Sequence, residues 1–302
     1  MAANEYKKID AGYILWKIFT YAFLIIFSLF MILPFYFMIV TSFLPNDVYI
    51  LGVNLFPMFS QLSFENYMLV FQVGQHNSQG FIVYFVNTFI VAIVSTSVTV
   101  ITTLLAAFAF ARLNFRGKNF LFMLILATMM IPGEMMVITN FKTADSFGWM
   151  NTFSSLILVH GVAVFYIFYL RQTFQQIPNE LYLASKVDGY SDVQYFKKIM
   201  VPLASPTVVT IIILSVMGAW NSFIWPTLVA SDVNSILYQF GINWSMKLVS
   251  NGLMAMFTGP DFAGNVPARL AGSMVTTIPL LIIFCCFRKK IMTGVSRSGI
   301  KG

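Results

Sequence analysis

Glu134 is the one acidic side chain well inside an apolar run, and it follows Ile131-Pro132-Gly133, where a helix is expected to break. A carboxylate at membrane depth is costly unless it faces water, a partner or a ligand, which makes Glu134 a candidate for a transport path. Hydrogen bonding between neighbouring helices is the alternative. A proton relay would need further acids in register, and no other apolar run supplies them. His160, in Val159-His160-Gly161, offers an imidazole that could bind a solute or move protons, against the plainer role of a hydrogen bonder inside a helix bundle. Asn87 and Asn221 are similar, and Asn221 stands between Trp220 and the Trp225-Pro226 pair. Indole faces suit the apolar C–H surface of a sugar ring, whose hydroxyls need hydrogen bonds, although tryptophan also marks membrane interfaces. No catalytic residue, bound cofactor or metal site is expected. Cys285 and Cys286 are adjacent, poorly placed to bridge each other and without metal or redox spacing.

A second set of polar residues forms an island, Pro178–Pro206, between two long apolar runs. Residues 180–187 can make two helical turns with Leu181, Ala184 and Val187 on one side. Gly189 then permits the left-handed backbone that stops a helix. Ser191 and Gln194 have capping-box spacing for a second short helix, ending near Lys197-Lys198. Helix, glycine elbow and helix between two membrane spans predict a knob presented to a cytoplasmic partner. A simple cytoplasmic lid is the blander alternative.

The elements that must position these groups are membrane helices. The 302 residues are 58% hydrophobic and only 10% charged, with a mean hydropathy of +0.80, which does not describe a soluble domain. Six runs of suitable length occur, at about 18–40, 81–105, 120–140, 152–170, 203–225 and 270–287. Closing the backbone hydrogen bonds within each run makes them helices, and the absence of alternation argues against a barrel. With the N-terminus inside, 15 of the 18 basic residues are cytoplasmic, and only Lys142, Lys247 and Arg269 fall outside. That asymmetry fixes orientation, with both termini in the cytoplasm, and explains the net charge of +7 without nucleic acid. The first run is too long for a signal-peptide core and is expected to be a retained anchor. Outer loops are expected at 44–80 and 226–268, the second forming short helices near the membrane face. Ala106, Ala107, Ala109 and Ala111 would let a neighbouring helix approach closely. The expected organisation is one transmembrane domain, 1–302.

The island resembles the coupling loop of the membrane subunits of ABC importers, through Ala184, Asp188, Gly189, Pro202, Leu203 and Pro206. Leu183 stands where that loop has its name-giving Glu, and Ser185 replaces its second Ala. Further motifs are similar to one subgroup, the carbohydrate-type importers and specifically the maltose-type second permease. They include Pro34-Phe35-Tyr36, Thr41-Ser42-Phe43, Asn66-Tyr67, Asn87-Thr88, Ala111 through Gly117, Leu170-Arg171-Gln172, Trp220 through Pro226 and Gly299–Gly302. The resemblance implies an all-α integral membrane protein of type I importer permease architecture in a bacterial cytoplasmic membrane. It implies a peripheral first span, with spans two to six lining the path, and a coupling loop carried by Glu180, Ala184, Asp188, Gly189, Ser191 and Pro202. It also implies a second, homologous permease, two ATP-binding subunits and an extracytoplasmic substrate-binding protein. The chain has no phosphate-binding loop of its own: Gly294 to Gly299 is followed by Ile300 instead of Lys. ATP and Mg are therefore expected on the partner ATPase. A carbohydrate is the expected cargo, with a polyol or sugar phosphate as alternatives. An ion-coupled secondary transporter and a membrane scaffold for a soluble enzyme are the readings from other classes.

Overall fold

A computed structural model describes residues 11–52, 56–72, 80–231, 234–242, 244–259 and 264–296. The basic residues Lys7, Lys8, Arg297 and Lys301, the tail Gly299–Gly302, and the loop residues Gly74, Asp232 and Pro260 lie outside them. Among the described residues the regular structure is helical, with no strand. The helices are α1 (Ala11–Ser42), α2 (Asn46–Ile50), α3 (Glu65–Gln72), α4 (Phe81–Ala111), α5 (Lys118–Thr128), α6 (Gly133–Ser146), α7 (Phe153–Ile157) and α8 (Val164–Gln176). They continue as α9 (Asn179–Val187), α10 (Asp192–Tyr195), a π turn over Phe196–Met200, α11 (Val201–Leu203), α12 (Ser205–Trp220), α13 (Ile224–Val229), α14 (Ser235–Gln239), α15 (Val249–Thr258) and α16 (Val266–Ser296).

Three stretches are single helices long and apolar enough to cross a bilayer: Gly12–Ser42, Phe81–Ala111 and Val266–Arg288. Two more runs are bent. α5 and α6 meet at 97°, and the arm Asp192–Leu203 meets α12 at 78°, so five spans result if each bent pair is one. Proline explains both breaks, because Pro132, Pro202 and Pro206 lack the backbone donor a continuing helix needs. The run expected as a fourth continuous span, 152–170, is divided as well. α7 ends at Ile157, and α8 begins at Val164. Two of the carbonyls in this break are met by hydroxyls of α4. Thr99 Oγ1 on α4 donates to His160 O (3.4 Å) and Thr102 Oγ1 to Gly161 O (2.9 Å). Irregular backbone inside a membrane protein is tolerated on those terms.

The chain falls into two compact units. The first comprises residues 1–70 and 264–274. There Asn66 Nδ2 donates to Ser42 O (3.0 Å) and Leu44 O (2.7 Å), and the Ser42 and Tyr67 hydroxyls share a 2.7 Å hydrogen bond. The motifs Thr41-Ser42-Phe43 and Asn66-Tyr67 thus close the C-terminal end of α1 onto α3. The apolar stretch of α1 buries none of its side chains within the chain, as expected of a helix apolar all round that lipid or a partner covers.

The second unit, residues 71–263 and 275–302, is built on α4, which touches α7, α8, α12 and α15. Its two halves belong to separate cores. Val91 packs in a cluster with Leu156, Trp225, Val229 and Leu248, whereas Ala107 and Phe108 pack with Leu170, Phe174, Tyr195 and Met200. Ala107 is fully buried, consistent with a small residue admitting a neighbour. At the other end of α4, Asn87 Nδ2 donates to Ser245 O and Lys247 O, and its Oδ1 accepts from Trp244 Nε1 at 2.9 Å. Thr88 Oγ1 accepts from Val249 N at 2.8 Å. Asn87-Thr88 therefore holds the segment leading into α15, and the Asn87 amide is fully buried with both of its donors committed.

Candidate functional site

A cavity of about 190 Å³ lies between α4, the 158–163 break and α12–α13. α4 contributes Ser95, Thr96 and Thr99, because residues three and four apart share a helix face. α12 and its exit contribute Ser215, Gly218 and Ser222, and α8 contributes Tyr166. His160 and Trp225 also line it and meet edge to face, with ring centroids 5.6 Å apart. Trp225 is buried, and its Nε1 donates to Ser155 O at 2.9 Å, so the indole is oriented by the backbone of α7. The lining carries no Asp, Glu, Lys or Arg. Two of its hydroxyls, Thr96 Oγ1 and Ser215 Oγ, are buried without a hydrogen-bond partner among the described residues, and Thr96 is only 7% exposed. Such a group costs about 1–3 kcal/mol in a folded protein until something polar meets it.

The sequence candidates divide at this cavity. His160 and Trp225 come together in it, while Trp220, Asn221 and Glu134 do not line it. Trp220 is 3% exposed, packs edge to face on Phe85 and Phe89, and donates to Thr276 O at 3.1 Å. Its indole is held by packing and by that backbone carbonyl. Asn221 caps α12 and is exposed, and Glu134 is exposed in the first turn of α6, where a carboxylate suits the helix dipole. Among the described residues no group of His, Cys, Asp and Glu gathers closely enough to hold a metal. The residues that sequence reasoning missed are Thr96, Tyr166 and Ser215. Hydroxyls in apolar helices are common, and only the packing shows which ones lack partners.

The island 178–206 forms the two short helices that its residues predict. α9 ends in a complete Schellman closure: Gly189 has φ +79°, its N–H donates to Lys186 O (3.1 Å), and Tyr190 N–H donates to Ser185 O (2.9 Å). The capping box is reciprocal, with Gln194 N to Ser191 Oγ at 3.2 Å and Ser191 N to Gln194 Oε1 at 2.8 Å. Asp192 ties the two helices together. Its Oδ1 accepts from Tyr182 OH at 2.9 Å and pairs with Lys186 Nζ at 2.7 Å. The hydrogen bonds from Lys186 and then Tyr182 hold the Asp192 carboxyl below its ordinary range, while the bond to Asp192 raises Lys186 and Tyr182. Below them Tyr195 is wholly buried, edge to face with Tyr182 at 5.0 Å.

The outward face of α9 is apolar. Val187 is 88% exposed and Leu183 57%, with Leu181 and Ala184 also exposed, whereas Ser185 is the buried residue. Leu181, Ala184 and Val187 therefore lie on the open side. Glu180, Asp188, Ser191 and Pro202 are exposed too. The root of the knob is fastened to α4 by Arg112, which caps that helix. Its Nη2 donates to Phe174 O (3.1 Å) and to Ile177 O, and its Nη1 to Asn179 Oδ1 (3.4 Å). One guanidinium thus joins the end of α4, the end of α8 and the start of α9. Arg171 makes a parallel link, with Nε to Phe110 O at 3.1 Å and its guanidinium 4.0 Å over the Phe122 ring.

Residues 99–288 match the family described as binding-protein-dependent transport system inner membrane component. Over 267 residues the chain is 29% identical to the arabinooligosaccharides transport system permease protein AraQ of Halalkalibacterium halodurans, covering 88% of this chain and 89% of that one. It is also 29% identical over 282 residues to the trehalose/maltose transport system permease protein MalG of Thermococcus litoralis, covering 92% and 94%. Its fold is similar to a crystallised chain of a bacterial ABC transporter involved in the import of the acidic polysaccharide alginate. That match has a TM-score of 0.77 at 20% identity and covers 93% of this chain and 98% of that one.

Proposed function

We propose, because this chain belongs to the inner membrane components of binding-protein-dependent transport systems, that it is one permease of an ATP-driven carbohydrate importer. The observation that carries the reading is the outward apolar face of α9, with Leu183, Ala184 and Val187 exposed on a helix whose inner side is fixed by Ser185 and Tyr182. An exposed apolar patch on an otherwise polar island is a docking surface, and an ATP-binding subunit is the partner such an importer needs there. Glu180, Asp188, Ser191 and Pro202 would rim the contact, and Gly189 sets its shape. Motion of the docked subunit passes through α9 and Arg112 into α4, whose other residues line the cavity. Rigid elements with two discrete arrangements suffice for that coupling. The cavity then opens alternately to either side of the bacterial cytoplasmic membrane, with both termini of the chain in the cytoplasm. A second, homologous permease completes the path, two ATP-binding subunits hold ATP and Mg, and an extracytoplasmic binding protein delivers the sugar. The names of the relatives, which carry arabinooligosaccharides and trehalose or maltose, support an oligosaccharide cargo. The test is uptake of such sugars into vesicles carrying the reconstituted complex. ATP-dependent, vanadate-sensitive uptake is expected, whereas uptake driven by an ion gradient without ATP would overturn the reading.

A further inference from the structure

We infer that the turn between α4 and α5 binds the phosphodiester headgroup of an anionic lipid, through Lys118 at the centre of a cation cluster with Arg112, Arg116 and Arg171. The inference goes beyond the importer reading and is independent of the cargo. It needs only that α4 and α5 lie in a bilayer, as membership among inner membrane components implies.

Charge is the first observation. The sequence has no Asp or Glu between Glu65 and Glu134, so neither α4, the turn nor α5 brings an acid of its own. Arg112 closes α4, Arg116 is exposed in the turn, and Lys118 opens α5. Arg171 reaches them from α8, with Nε on Phe110 O and its guanidinium over the Phe122 ring. Phe122 stands one turn after Lys118, on the same side of α5. Both Arg112 and Arg171 are near enough to repel the Lys118 charge. The acceptors these groups do have are neutral oxygens. Lys118 Nζ donates to Leu113 O at 2.9 Å, and Arg112 donates to Phe174 O, Ile177 O and Asn179 Oδ1. Such bonds orient a cation without cancelling its charge. Among the described residues none of the four has a carboxylate partner, whereas Lys186 on the island is paired with Asp192. Cations gathered in this way raise the local concentration of anions.

The second observation is the surface beside the charge. Lys118 lines an open recess with Asn114, Phe115, Gly117, Asn119 and Phe120. The two amides and the remaining Nζ donors suit the oxygens of a phosphodiester. Apolar surface then continues away from the recess. Phe120, Leu121 and Leu124 are exposed, and Leu121 and Leu124 follow Lys118 at the three-residue spacing that keeps one helix side. A free phosphate would use only the cation. A lipid uses both features, with its headgroup at Lys118 and an acyl chain along α5. Basic pockets at the ends of membrane helices take anionic headgroups on these terms.

The experiment uses the complete complex in phosphatidylcholine nanodiscs containing a minor share of phosphatidylglycerol with a photoactivatable group near its headgroup. Labelling of the Asn114–Phe120 segment is expected, and the same group on phosphatidylcholine should label it weakly. Lys118→Gln should lower the phosphatidylglycerol label there about fivefold, the effect of one cation at a membrane surface, while Lys118→Arg keeps it. Lys17→Gln, which removes an exposed cation of α1, should leave this label unchanged. Added sodium chloride should weaken wild-type labelling by screening, a readout that needs no variant to assemble. Inorganic phosphate at matched ionic strength should do no more than chloride. Equal labelling by the two lipids, or no loss in Lys118→Gln, would overturn the proposal. Displacement by inorganic phosphate beyond the chloride effect would make this a site for the free anion and would overturn the lipid assignment. An unlabelled segment would mean that a partner subunit covers it, which also refutes the proposal. None of these outcomes bears on sugar uptake, so the importer reading stands or falls separately.

Discussion

Gly189 has φ +79°, and a side chain at that position would meet no atom within 4 Å of its Cβ. Substitution there therefore changes backbone preference without adding a steric term. The left-handed region costs an L-residue about 1–2 kcal/mol, more for a β-branched one and less for Asn, whose short polar side chain tolerates it. If the elbow is remade, two hydrogen bonds go with it, those from Gly189 N–H to Lys186 O and from Tyr190 N–H to Ser185 O. α9 then no longer presents Val187 and Leu183 beside Asp188 in the arrangement proposed for docking. A destabilisation of about 1–2 kcal/mol lowers the population of the native elbow relative to a remade one by about five- to thirtyfold, and apparent affinity for the ATP-binding subunit falls by at most that factor. The assay titrates the co-expressed ATP-binding subunit onto the permease pair in nanodiscs, alongside sugar uptake by the same complexes. The expected order is Gly, then Asn, then Ala, then Val, with Val losing most uptake. The reasoning is refuted if Val docks and transports like wild type. It is also refuted if Asn is no better than Val, because size and not φ would then be deciding at a position the structure leaves open.

Arg112→Ala removes three charged hydrogen bonds at the junction of α4, α8 and α9 and should cost about 2–3 kcal/mol of local stability. The expected signature is continued ATP hydrolysis with less sugar carried per ATP, and Lys should rescue little because a single ammonium lacks the planar fork. Gly252 faces Tyr84 so closely that a Cβ would lie 2.6 Å from Cγ of that ring, and Tyr84 is 3% exposed. Gly252→Ala should therefore lower the stability of the purified protein by about 1–3 kcal/mol, and Tyr84→Leu in the same chain should restore part of it, read by thermal unfolding in detergent. For Asp192, the folded carboxyl sits below its ordinary value, so its contribution is present at neutral pH and is lost as pH falls through that lowered value. Lys186 is raised, so its contribution is lost only as pH climbs through a value above the ordinary lysine range. The stability difference between wild type and Asp192→Asn is therefore expected to be flat from about pH 5 to 9, to begin shrinking only below about pH 4, and to be lost as pH falls on through the lowered carboxyl value.

Features set by residues within one or two helical turns of each other are legible in the amino-acid sequence alone. Runs of apolar residues make helices wherever the backbone must satisfy itself, which places α1, α4 and α16. The elbow at Gly189 and the capping box of Ser191 and Gln194 join groups at most five residues apart, so sequence spacing is enough to predict both. Contacts across long separations are not legible. The apolar run at 152–170 gives no sign of a break, because the hydroxyls that accommodate it, Thr99 and Thr102, stand about 60 residues earlier on α4. Trp220, Asn221 and Trp225 stand close together in the sequence, but α12 ends at Trp220 and α13 begins only at Ile224, so the break between the helices sends them in different directions. Trp220 is accordingly carried to Phe85 and Phe89, Asn221 to the surface and Trp225 to His160. Tertiary packing also decided which side of α9 faces out. Tyr182 bonds to Asp192 and Ser185 fills the buried side, which leaves Leu183 and Val187 uncovered. Periodicity can say that a helix has two faces, but only its neighbours determine which face they cover.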